Sequence, residues 1–189
     1  GRVFEKKANG RTARNYYRKS LKISEAIDRK KGVALASLHL GDLEEKENHN
    51  RQALSLYRYA LDIYEKTDDQ NGMANALYRL GKCNLKMGQM ASSREQIEGA
   101  YDKAQSMGAR SIMRDCSWEL YRWHERNGDP TEALRYYQKY DQYEDTIYSR
   151  QSADNIAKWQ TRYLTQMKQK RITLLETQRQ LQDARIKKQ

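Results

Sequence analysis

Proline is nearly missing from this 189-residue sequence, with Pro130 the single example. An all-β chain built on proline-rich turns is therefore not expected, and long uninterrupted helices are. Cysteine is scarce as well. Cys83 and Cys116 stand in helix-like sequence with no second pair, which leaves neither a disulfide framework nor a metal knuckle and makes them buried free thiols. No run approaches the roughly 20 apolar residues that span a bilayer, and the first residues lack the basic, apolar, small-residue order of a signal peptide. His39, His49 and His124 are not at metal-ligand spacing, and His124-Glu125 lacks the second histidine of a zinc-protease helix. Neither a GxGxxG nor a GxxxxGK[ST] string is present to cradle a phosphate. Glu44, Glu45 and Glu47 read as solvated helix residues. No cofactor, metal or catalytic residue is expected, so the chain is not read as an enzyme.

What is abundant is charge, 32% of residues with a formal net of +11. Its distribution is uneven. Residues 150–189 hold ten Lys/Arg against three Asp/Glu, while residues 1–149 hold 26 against 22. A basic helix of this kind reads first as a solvated surface, then as attraction to anionic headgroups; nucleic acid is a less favoured partner because no recognition motif accompanies it.

A 40-residue period organises most of the chain. Residues 38–66 align without gaps to 78–106 and 118–146, and half a copy precedes them. Corresponding positions read Ala13, Ala53, Ser93, Ala133, then Tyr17, Tyr57, Ile97, Tyr137, then Ser20, Ala60, Ala100, Tyr140. Steps of three and four return to one helix face, so small and large apolar residues share a face and each unit is two helices. Turn residues separate them at Ala8-Asn9-Gly10, Asn48-His49-Asn50, Met87-Gly88-Gln89 and Asn127-Gly128-Asp129-Pro130. Asp129 suits an N-cap and Pro130 the first helical position. Between units the breaks are Asp28 to Gly32, Asp68 to Gly72 and Gly108 to Ser111.

The Leu-Gly pairs Leu40-Gly41 and Leu80-Gly81, with Ala53 and Tyr57, Ala133 and Tyr137, and Ala60 or Ala100, resemble the tetratricopeptide repeat. That resemblance implies an all-α fold, a right-handed superhelix of antiparallel hairpins. The units are a half repeat, 1–31, full repeats 32–71, 72–111 and 112–149, and a long capping or coiled-coil helix, 150–189. The period exceeds the family's roughly 34 residues, Tyr121 stands where the glycine belongs, and Tyr140 replaces the last small residue. Such bulk in a terminal unit predicts a contact with something other than another repeat, namely residues 150–189.

From Arg150 the sequence predicts a helix of up to about 40 residues. Ile156, Trp159 and Tyr163 form a short apolar face that could cap the last hairpin. Gln160, Met167, Leu174 and Leu181 recur every seven residues as a weak self-association seam for a homodimer. The Asp145-Thr146-Ile147 step and the coil after it resemble the junction in tetratricopeptide sensor regulators of Bacteroidetes-type bacteria. There, the resemblance implies, a membrane helix and a histidine kinase or helix-turn-helix domain follow. The implied place is the periplasmic side of the inner membrane, with the cytoplasm as the alternative, and the implied role is signal transduction or transcription regulation. A cytoplasmic scaffold is the runner-up.

Two further expectations concern surfaces. Val3 to Lys7 align with the end of a first helix, so residue 1 is not expected to be a natural domain start, and the unpaired next helix should expose Tyr17 and Leu21. The first helices should line a groove that binds a protein or extended acidic peptide. Its residues would be Asn75, Tyr78, Lys82 and Lys86 of one unit and Asp115, Trp118, Arg122 and Arg126 of the next. Asp42 and Lys82 stand where a chaperone-type carboxylate clamp resembles an asparagine pair, so that clamp is not expected.

Overall fold

The computed structural model describes the backbone of residues 10–186; within 151–186 the side chains described are those of residues 154, 161, 165, 167–176 and 179. Seven helices are described: α1 Gly10–Ala26, α2 Lys30–Lys46, α3 Asn50–Lys66, α4 Gln70–Lys86, α5 Met90–Ser106, α6 Arg110–Arg126 and α7 Pro130–Ile186. The first six are each 17 residues long. The described residues contain no strand.

The turns explain that regularity. Every 20 residues the backbone enters the left-handed region, at Asp28, Asn48, Asp68, Gly88, Gly108 and Gly128. At each, the next residue's N–H bonds the carbonyl five positions back, as in Arg29 to Ser24, His49 to Glu44 and Asp129 to His124. This is the Schellman closure, which satisfies carbonyls left over at a helix end and needs a residue that tolerates positive φ. Glycine, asparagine and aspartate supply it six times. The seventh position is Tyr148, a poor left-handed residue, and α7 runs through it without a break. The helix that contains Arg150 therefore begins 20 residues earlier than the sequence reading, at Pro130, where Asp129 Oδ1 accepts the Glu132 N–H at 3.2 Å.

Compact packing divides the chain into residues 1–144 and 145–189. In the first unit the periodic small residues are where helices touch. Ala13, Ala53, Ser93, Ala60 and Ala100 are fully buried, with Tyr57 and Ile97 between them. Gly41 lies against the Tyr57 ring and Gly81 against Ile97, so neither has room for a Cβ. Between hairpins, sizes compensate: Gly72 faces Tyr64, whereas the corresponding Ile112 packs in the cluster that holds Ala104. Cys83 and Cys116 are buried and free, and burial pushes the Cys83 thiol up to about 11.

Two expectations are corrected here. Tyr17 is buried and Leu21 partly so, because that face of α1 packs on Leu40, Leu43 and His39 of the following hairpin. The exposed apolar residues of this end are Tyr16, Ile23 and Ile27. Glu44 and Glu45 are not solvated helix residues. Glu44 takes an ion pair from Arg14, Glu45 accepts the Tyr57 hydroxyl at 3.0 Å, and both side chains are largely covered. The bulky residues of the last hairpin find ring partners in one another, since Trp118 lies 5.1 Å from Tyr140 and 5.3 Å from Tyr121, and Tyr121 lies 5.6 Å from Tyr137. Ile156, Trp159 and Tyr163 lie outside the described side chains.

Candidate functional site

First helices α2, α4 and α6 stand side by side, and two adjoining concavities open along them, sharing Tyr78. One, of about 390 Å³, is lined by Asp42, Glu45, Lys46, Tyr78, Arg79, Lys82 and Lys86. The other, of about 330 Å³, is lined by Tyr78, Arg114, Asp115, Trp118, Tyr140 and Glu144. Tyr78, Lys82 and Lys86 thus come together as the sequence predicted, and Trp118 and Asp115 join them across Tyr78.

The remaining predicted residues are engaged elsewhere. Asn75 donates to the Asn71 carbonyl at 2.9 Å and accepts from Arg79. Arg122 pairs at 3.1 Å with the buried Glu119, and Arg126 donates to the Leu85 carbonyl at 3.3 Å. Lys86 does the same one repeat earlier, donating to the Glu45 carbonyl at 3.3 Å and to Asn48 Oδ1 at 2.9 Å. Lys86 and Arg126 are 40 residues apart, so this is a repeated device: a cation closes the last turn of the preceding first helix, whose free carbonyls carry partial negative charge.

Sequence reasoning missed the acidic and arginine half of the site. Arg79 Nε donates to Asp42 Oδ1 at 2.8 Å, and Tyr57 donates to the same oxygen at 3.1 Å. Burial works against the charged Asp42, but His39, the Arg79 guanidinium and the Tyr57 hydroxyl outweigh it and hold the carboxyl at about 2. Lys82 Nζ lies 4.0 Å from Glu45 Oε1. The readable signal was an offset of 37 residues, which places opposite charges side by side on neighbouring first helices at Asp42 and Arg79 and again at Glu45 and Lys82. The first concavity therefore holds four cations against two carboxylates that are already bonded. Glu119 shifts the other way, with burial raising its carboxyl above the usual range despite Arg122.

Elsewhere, Glu44, Glu47 and His49 bring their ligand atoms within 4.8 Å of one another. Their positive partner is Arg14, which pairs with Glu44 and reaches Glu47 at 2.7 Å. Of the expected seam, Met167 and Leu174 are exposed, while Gln160 and Leu181 fall outside the described side chains. No described helix is long and apolar enough to cross a membrane.

No protein-family model and no curated protein sequence matches the chain. Among solved structures it is similar to BtubC (BKLC) from P. vanneervenii, at 16% identity and a TM-score of 0.67, over 78% of this chain. It is also similar to the apo form of RapI, at 15% identity and a TM-score of 0.50, over 76% of this chain. The chain spans 61% of the first protein's length and 50% of the second's. Together with the repeated hairpins, the likeness establishes the fold, an all-helical solenoid of the tetratricopeptide type.

Proposed function

We propose that the chain is a non-catalytic protein- or peptide-binding module whose groove takes an extended acidic segment carrying an apolar or aromatic side chain. The supporting observation is the pair of concavities that share Tyr78, one with an excess of cations around Lys82, the other walled by Trp118 and Tyr140. A carboxylate on a ligand would meet Lys82, and the neighbouring side chain would lie between the rings, where aromatic anchors contribute most to binding. Arg122 is not a ligand contact in this reading, because Glu119 already holds it.

The test is fluorescence anisotropy with labelled Asp/Glu-rich peptides that contain one Trp or Phe, against Lys82→Glu and Trp118→Ala. Both substitutions alter exposed groups and are expected to weaken binding about tenfold each, a loss of about 1.4 kcal/mol. Equal affinity for wild type and both variants would refute the reading. The finer assignment, the sensor region of a bacterial signal-transduction regulator, draws its support from the sequence resemblance at Asp145-Thr146-Ile147 and the coil after it. A gene encoding a membrane span and a kinase or helix-turn-helix domain beyond Gln189 bears it out; a gene without them leaves the adaptor reading.

A further inference from the structure

The last hairpin ends in an apolar cleft of about 480 Å³ lined by Tyr121, Glu125, Pro130, Leu134 and Tyr137 among others. Leu134 is 58% exposed and Tyr137 44%, whereas the corresponding Leu54 and Tyr57, one repeat pair earlier, are 5% and 0%. In the inner hairpins this face is covered by the first helix of the next unit. Cys83 Sγ reaches the Asn50 carbonyl, Trp123 Nε1 donates to the Met90 carbonyl at 2.8 Å, and Arg94 lies 5.2 Å over the Trp123 ring. Forty residues on, those partners become Pro130, Leu134 and Tyr163.

Residues 150–166 carry the pattern of such a covering helix. Ala153 aligns with Val33, Met73 and Met113; Ile156 with Ala36, Ala76 and Cys116; Tyr163 with Leu43, Cys83 and Trp123. Arg162 aligns with Lys82, which faces Glu45, and so corresponds to a partner for Glu125. Yet Tyr148 stands at the position where six earlier turns use Asp, Asn or Gly, and the helix does not turn there.

We propose that a second copy of this chain covers the cleft, its 150–166 segment packing on Leu134 and Tyr137 as the next first helix, reciprocally in a two-fold dimer. The interface is self-complementary because each copy offers both an open end and a helix in the matching register, the ordinary route to exchange of an element between protomers. The cleft adjoins the peptide groove through the ring contacts of Tyr121 with Trp118 and Tyr137, but Leu134 lines neither of the groove's two concavities.

Sedimentation velocity of the 189-residue chain at tens of micromolar is expected to show a dimer. Leu134→Lys, an exposed side chain whose loss leaves the hairpin folded, is expected to give a monomer with unchanged helical circular dichroism. Tyr148→Gly restores the turn and is expected to give a monomer too, with its own segment closing the cleft. Mixing Leu134→Cys with Tyr163→Cys is expected to yield a disulfide-linked heterodimer that neither variant forms alone. A monomeric wild type, or a dimer that survives Leu134→Lys and is instead cross-linked by Leu174→Cys alone, overturns the proposal.

Discussion

Replacing Gly81 by alanine isolates the contact on which the repeat depends. Gly81 sits in α4, buried against α5. A Cβ there would stand 3.0 Å from the Ser93 carbonyl oxygen and 3.1 Å from the Ile97 nitrogen, besides overlapping the Ile97 side chain. Backbone atoms cannot rotate aside, so the two helices must part by several tenths of an ångström. Overpacking of this kind costs about 1–3 kcal/mol, with the upper end applying where backbone is struck. Alanine in a helix interior returns about 0.5–1 kcal/mol relative to glycine, leaving a net loss of about 1–2 kcal/mol. Gly99 in α5 is the matched control, because its Cβ would meet only Leu77 Cδ1, at 3.7 Å. There the propensity gain stands alone. The two variants should differ by about 2–3 kcal/mol, or about 4–12 °C in Tm for a domain of this size. Thermal melts followed by circular dichroism and by calorimetry measure this and also check that the repeats unfold together. A Gly81→Ala variant that melts at or above wild type, or a Gly99→Ala variant that melts well below it, refutes the reasoning.

Three more outcomes follow from the same coordinates. Gly128→Ala has open space around its Cβ but φ of +75°, so a loss of about 1 kcal/mol in urea denaturation tests the turn argument alone. Asp42, held at about 2 against an ordinary 3.8, contributes stability above pH 4 that is lost as pH falls toward 2. Wild type should therefore lose about 2 kcal/mol across that window that Asp42→Asn does not, and parallel acid-unfolding curves would contradict it. Glu119 has the opposite sign, since a raised carboxyl costs stability once the unfolded chain ionises. Glu119→Gln should melt above wild type at neutral pH, and the gap should close on acidification below pH 4.

Helical periodicity, the 40-residue unit and the turns were legible in the sequence because they are local: three- and four-residue spacing, a small residue at each close approach, and a residue tolerant of positive φ every 20 positions. Tyr78, Lys82 and Lys86 could be placed in one groove for the same reason, since phase within a repeat fixes which side a residue faces. What phase could not say is which of those side chains are spent. Lys86 and Arg126 bond the carbonyls of the preceding helix, Arg122 is held by Glu119, and Asp42 is taken by Arg79, a residue that the sequence reading left out. Apart from Arg122–Glu119, a pair three positions apart within α6, those pairings join residues 37 to 41 positions apart, and they depend on how neighbouring first helices are offset. The same holds for Tyr17, whose burial depends on the helix beside it, and for Tyr121 and Tyr140, whose bulk went into a ring cluster with Trp118. Sequence by itself determined the helices and their faces, because backbone hydrogen bonding and side-chain size act within a turn or two of the chain. Only the tertiary structure decided which charges cancel and which stand open in the groove, because that balance is set by partners brought together across repeats.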